Sequence, residues 1–174
     1  MRYVRRQTPT GADHALYAIM NNDLEQMLKS AANEVFGTML NLQVTFDSPD
    51  VKIEQEPFIA GAIGFTGKFN AMIYLHTNMA FARAMTCSLL GLTDHQIEGQ
   101  DMVSDVLGEF TNMHAGHMKS RLCDRGMPCV MTIPTVVSGR DFKIQPVSGA
   151  QRHAIAVRSS SQGLVLLELF VKPN

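Results

Sequence analysis

Residues 103–122 read VSDVLGEFTNMHAGHMKSRL, and the way this stretch lies on a helix governs the reading of the whole chain. At about 100° per residue, Val103, Val106, Leu107, Phe110 and Met113 fall on one side, which must face a core. Asp105, Glu109, Asn112, Gly116 and Lys119 collect on the other. Glu109 and Asn112 stand at i and i+3, so their side chains leave the helix as neighbours on one ridge. Asparagine is a mediocre helix former, and each interior glycine costs about 1 kcal/mol relative to alanine. Gly108 and Gly116 nevertheless flank the pair, on what the wheel makes the outward half. A merely solvated face has no need of such residues, whereas glycine lets a second backbone come close. Functional sites are where such local rules are broken. Glu109 and Asn112 are therefore the candidate catalytic residues, and Asp105, Gly108, Gly116 and Lys119 the candidate partner contacts.

A carboxamide has no useful pKa, so Asn112 cannot serve as a general base near neutral pH. It can accept from and donate to one water molecule together, which fixes that water's direction. In phosphoryl-transfer hydrolysis, positioning and electrostatics carry most of the catalysis, so an oriented water is a substantial contribution. Glu109 can hold a cationic group of a partner's site, such as a lysine, by a charge-assisted bond. The pair reads as a tool delivered into another protein's active centre. It makes little sense as a self-contained one.

Working outward from this helix, which runs over roughly 98–124, Asp124-Arg125-Gly126 mark its end. Upstream, Met20, Leu24, Met27, Leu28, Ala31, Val35, Phe36, Met39 and Leu40 recur at three-four spacing and predict a second long helix over 19–40. Asn22 or Asp23 is its candidate cap. LQVTFDS (42–48) alternates as a strand, and FIAGAIGFTG and FNAMIYLHT, parted by Gly67 and Lys68, predict a hairpin. MAFARAMTCSLLG (79–91) predicts a shorter helix closed by Gly91. CVMTIPTVVSG (129–139), HAIAVRSS (153–160) and LVLLELFVK (164–172) read as strands, with Pro134 placing the first at an edge or breaking it. No linker or charge block divides the chain, so the expectation is a flexible tail over 1–18 and one α+β domain over 19–174.

Composition excludes several function classes. The chain has 174 residues and a formal net charge of -1, so nothing general draws it to nucleic acid or an anionic membrane. No apolar run approaches the ~18 residues of a membrane span, and MRYVRRQTPTGADH lacks the apolar segment of a secretory leader. The three cysteines, Cys87, Cys123 and Cys129, form no disulfide framework and suit reduced thiols in a cytoplasm.

The string SDVLGEFTNMHAGHMKSRL followed by IPTVVSG resembles the CheX branch of the CheC/CheX/FliY chemotaxis phosphatases. The family motif is Glu-x-x-Asn on an exposed helix, with a glycine before the Glu and an Ala-Gly pair downstream, here Gly108, Glu109, Asn112, Ala115 and Gly116. The resemblance implies a CheC-like fold: a mostly antiparallel sheet with two long helices and one shorter helix packed against it. It implies a phosphatase acting on the phosphorylated aspartate of a CheY-like response regulator. Asn112 would orient the hydrolytic water and Glu109 would pair with the regulator's active-site lysine. The required Mg²⁺ would belong to the receiver domain of the regulator, with no cofactor in this chain. CheX relatives pair as homodimers through sheet edges, and the apolar run LVLLELFV (164–171) fits that expectation. CheC relatives carry a second motif on the first long helix. Here that helix reads ANEVFGTML, with Gly37 three residues after Glu34, which implies one site per chain. His117 departs from the family pattern, where an Asn is common, and the wheel turns it toward the core side.

Other chemistries are weaker. His114-x-x-His117 could seed a metal site with Cys123 or another His, but both histidines project toward the core half and no third ligand for a zinc hydrolase is identifiable. GAIGFTGKFN lacks the spacing of a phosphate loop and the Ser or Thr after Lys68. None of the cysteines has a neighbouring basic signature that would mark a nucleophile. A domain that binds a response regulator, or itself, without turnover is the alternative function.

Overall fold

The runs at 58–67 and 69–77 form one hairpin. Strand β2 (Phe58–Gly67) pairs antiparallel with β3 (Phe69–Asn78), Ile63 opposite Ile73. The computed structural model describes residues 11–53, 57–146, 148–160 and 163–173. Along β3 the odd-numbered residues Phe69, Ala71, Ile73, Leu75 and Thr77 are buried, while the side chains between them turn to the opposite face. The last strand, β7 (Leu164–Pro173), lies beside β3, β6 (Gln151–Ser159) beside β7, and β1 (Val44–Asp47) closes that edge. The other edge is β4 (Cys129–Met131) and β5 (Thr135–Gly139), both paired with β2. Every pairing among the described residues is antiparallel.

Three helices, α1 (Gly11–Leu40), α2 (Met79–Leu90) and α3 (Gln100–Asp124), share one core with the inward residues of the sheet. Asn78 starts α2 by accepting a hydrogen bond from the Phe81 amide at 2.8 Å, and Gly91 ends it at φ 66°, a left-handed conformation that glycine adopts without strain. Phe36 of α1 meets Phe110 of α3 edge to face, with ring centroids 5.1 Å apart. The opposite face of the sheet is partly polar. There the Glu168 carboxylate is buried, with one oxygen 2.5 Å from His76 Nε2 and the other 2.6 Å from Arg152 Nε. Burial pushes its pKa up, but the bonds from His76 and Arg152 outweigh that and hold it below the usual carboxylate range. No helix among the described residues is long and apolar enough to cross a membrane.

The elements match the expected α+β architecture, with four departures. Helix α1 begins at Gly11, so residues 11–18 are helical where a tail is expected, and Asn22 and Asp23 lie within the helix instead of capping it. Residues 1–10 lie outside the described residues. The run 129–139 is two strands, because Pro134 has no N–H to continue the ladder and the chain breaks over Thr132–Pro134. Strand β7 is central, with both edges paired to β3 and β6, so LVLLELFV offers no free edge; Val165, Leu167, Leu169 and Val171 face the helices, and Glu168 and Phe170 are buried on the other face. A short 3₁₀ turn at Asp94–Gln96, between α2 and α3, has no counterpart in the sequence reading.

Candidate active site

Helix α3 runs over β2 between α1 and α2. Val103, Leu107, Phe110, Thr111, His114, Ala115, Met118 and Leu122 form its buried stripe, a three-four pattern broader than the wheel's apolar side. Val106 and Met113, expected in the core, are half-buried on its flanks. The opposite ridge is open: Asp105 and Glu109 are exposed, and Asn112, Gly116 and Lys119 are half-buried. Among the described residues the side chains of Glu109 and Asn112 take part in no hydrogen bond or ion pair within the chain. Both groups are thus free to meet something else. A cleft of about 650 Å³ lined by Leu90, Glu98, Asp101, Asp105, Val106 and Glu109 opens beside the N-terminal half of the ridge. A second, of about 670 Å³, opens beside the C-terminal half against α1.

The two glycines part company. Gly116 faces open space, with no atom within 4 Å of where a Cβ would stand. Gly108 is buried, not outward: a Cβ there would touch Val136 Cγ2 at 3.6 Å and Pro134 at 3.9 Å. It faces the segment that joins β4 to β5 and lies on the inner side of the helix, not on the ridge with Glu109 and Asn112.

The histidines also separate. His114 is fully buried, and its Nδ1–H donates to the Phe110 carbonyl at 2.8 Å, which leaves Nε2 without a partner. Burial lowers its pKa to about 4, so the ring is neutral. His117 turns to α1 and not into the core, with Nδ1 3.1 Å from the Glu34 carboxylate. Arg121 joins them, its guanidinium 2.9 Å from Glu34 and 2.8 Å from Ser30 Oγ. Hydrogen bonding from Arg121 is the chief reason that the Glu34 pKa lies below the usual range. The pair therefore cannot chelate one ion as His-x-x-His, and no group of three or more metal-ligating side chains is poised for a metal among the described residues. Cys123 and Cys129 are free thiols, and burial pushes the Cys129 thiol up, away from nucleophilic reactivity.

Sequence reasoning missed what lies beneath the site. Thr111, next to Asn112, is fully buried and donates its hydroxyl to the Leu107 carbonyl at 2.7 Å. It sits over Gly61 of β2, where a Cβ would fall 2.0 Å from Thr111 Oγ1. Nothing in the spacing of either residue points to this contact. Glu34 likewise reads in sequence as a lone acid, although Arg121 and His117 hold it in the fold.

Residues 59–158, from β2 through β6 and including all of α3, match the family described as "Chemotaxis phosphatase CheX". The chain belongs to the CheX family. A protein of Thermotoga maritima named "CheY-P phosphatase CheX" is 31% identical over 94 residues, a match that spans 53% of this chain and 59% of that relative's length. Among solved structures, the chemotaxis protein CheX from Desulfovibrio desulfuricans superposes with a TM-score of 0.72 at 22% identity, covering 86% of this chain and 99% of that one. The CheX of a CheX–CheY–BeF3–Mg complex from Borrelia burgdorferi gives 0.70 at 18% identity, over 84% and 96%. At such identities these two structures establish the CheX fold alone. Within it, Glu109 is exposed and Asn112 half-buried on the outer side of α3.

Proposed function

We propose that this CheX-family protein accelerates hydrolysis of the aspartyl phosphate of a CheY-like response regulator. The observation that carries the reading is the ridge itself: an unpartnered carboxamide, Asn112, and an exposed carboxylate, Glu109, on adjacent turns of a helix whose other side is locked into the core. The relative from Thermotoga maritima bears the name of a CheY-P phosphatase, and the Borrelia burgdorferi structure is a complex with CheY.

In this mechanism α3 docks at the receiver's active centre. The Glu109 carboxylate accepts hydrogen bonds from the receiver's lysine ammonium and holds the helix in place. The Asn112 carbonyl accepts a hydrogen bond from one water and aims its oxygen at phosphorus, in line with the aspartyl oxygen. The P–O bond to the aspartate breaks as the water's oxygen bonds, which releases the carboxylate and inorganic phosphate. The Mg²⁺ that would neutralise the phosphoryl oxygens would be held by the receiver, with no ligand from this chain. Asp105, Gly116 and Lys119 line the contact, and the open space at Gly116 admits the approaching backbone.

The test is the decay of a phosphorylated CheY-like receiver with and without this protein. Accelerated decay that Asn112→Ala abolishes, with receiver binding retained, is expected; Glu109→Ala should chiefly raise the half-saturating concentration. Binding without acceleration would replace the phosphatase by the adaptor reading. The protein is further proposed to be a homodimer through the β4–β5 edge, where Val130 (67%), Ile133 (83%) and Val137 (51%) are exposed. Light scattering at micromolar concentration should return twice the chain mass, and a monomer would refute the dimer.

A further inference from the structure

We propose that Gly61 and Thr111 are positioning residues for the Glu109–Asn112 pair, forming a seat that sets the height at which α3 presents the carboxamide. The proposal rests on the reading of Asn112 as the group that aims the water. Strand β2 faces the helices with Ile59, Ile63 and Phe65, and Gly61 interrupts that series directly beneath Thr111. A Cβ at position 61 would stand 2.0 Å from Thr111 Oγ1 and 3.0 Å from Thr111 Cβ, so no other residue fits without moving the helix. Swinging Thr111 aside is costly, because its fully buried hydroxyl would give up the Leu107 carbonyl at 2.7 Å, a loss of about 1–3 kcal/mol.

The second contact of the seat converges on the same point of the sheet. Val136 is the register partner of Gly61 across β2 and β5, and it is also the residue that Gly108 rests against. Gly108 and Thr111 bracket Glu109, and Thr111 immediately precedes Asn112. This turn of α3 therefore has its tight inner contact at Thr111, with Gly108 facing β5 beside it, while its outer corners carry the functional groups. Close packing leaves no slack here, so a methyl group at position 61 drives this turn outward by on the order of 1 Å. For a group that must aim a water, such a displacement costs up to about a hundredfold in rate.

Gly61→Ala tests this in the receiver-decay assay, run against the concentration of this protein. The maximal acceleration should fall by roughly tenfold or more, while the half-saturating concentration changes less, because the Glu109 carboxylate is exposed on a longer side chain that can follow its partner. The size exchange Gly61→Ala/Thr111→Gly should regain most of the rate, which a general loss of stability would not. Independently of activity, the Asn112 side-chain amide resonance should move in Gly61→Ala and return in the exchange variant. If Gly61→Ala does not fold, Thr111→Ala, which removes the contact without adding bulk, should lower the maximal rate severalfold at unchanged half-saturation. A folded Gly61→Ala with native maximal acceleration or an unmoved Asn112 resonance overturns the seat; so does a Thr111→Ala with the native rate. Should the native protein leave receiver decay unchanged, the phosphatase reading fails, and the Asn112 resonance still decides the seat.

Discussion

His114 offers a quantitative check on how α3 is buried, two residues from Asn112 on the underside of the same turn. Its ring is enclosed by Phe36 and Phe110, with centroids at 5.9 and 4.8 Å, and among the described residues its one side-chain hydrogen bond is to the Phe110 carbonyl. The folded pKa is about 4 against an ordinary 6.5, with burial as the largest cause. Between those values the unfolded chain binds a proton that the folded chain does not, so stability rises with pH across this window and is lost as pH falls from 6.5 toward 4. At about 1.4 kcal/mol per unit, the full loss is roughly 3 kcal/mol, of which about 2 kcal/mol falls between pH 7 and pH 5. His114→Leu removes the titration while keeping an apolar side chain in place. Urea unfolding of both proteins at pH 7, 6 and 5 isolates the effect, since carboxylates titrate alike in the two and cancel in the difference. The gap between native and variant stability should shift by about 2 kcal/mol in the variant's favour at pH 5. A gap that does not change with pH would mean that His114 is solvated or charged in the fold, and the burial pattern of α3 would be wrong.

Other perturbations separate folding from function. Glu168→Ala strands Arg152 and His76 on the outer sheet face and should destabilise by about 3 kcal/mol, seen as a large drop in thermal midpoint with the Asn112 ridge intact. Asn78→Ala removes the α2 cap and should cost about 1 kcal/mol by chemical denaturation. Gly116→Ala has open space around it and should stabilise the helix by up to about 1 kcal/mol, whereas Gly116→Leu should keep the fold yet raise the half-saturating receiver concentration severalfold. Gly116→Leu with unchanged half-saturation would remove position 116 from the docking face.

Most of the architecture is written locally. The β2–β3 hairpin follows from two apolar runs around Gly67 and Lys68, and α2 from Asn78 and Gly91, because turn and cap chemistry act over a few residues. The outward placement of Glu109 and Asn112 follows from the helical period alone. The start of α1 at Gly11 was missed, although Leu16, Ile19 and Met20 continue its three-four spacing, because the Thr-Pro-Thr-Gly run at 8–11 reads as the end of a tail. Nor was the central place of β7, because a continuous apolar run reads alike whether it is covered by its own sheet or by a second chain.

What the amino-acid order determined by itself, then, is which side chains share a ridge: the polar pair, its helix and the motif around it are set by spacing within one segment. What only tertiary structure decided is which glycine serves whom. Gly108 is turned inward onto Val136, Gly61 opens a place for Thr111, and Glu34 is claimed by Arg121 from 87 residues away. Those outcomes depend on how closely elements distant in sequence approach one another. Hydrophobic periodicity encodes which face is buried, but carries no record of what it is buried against.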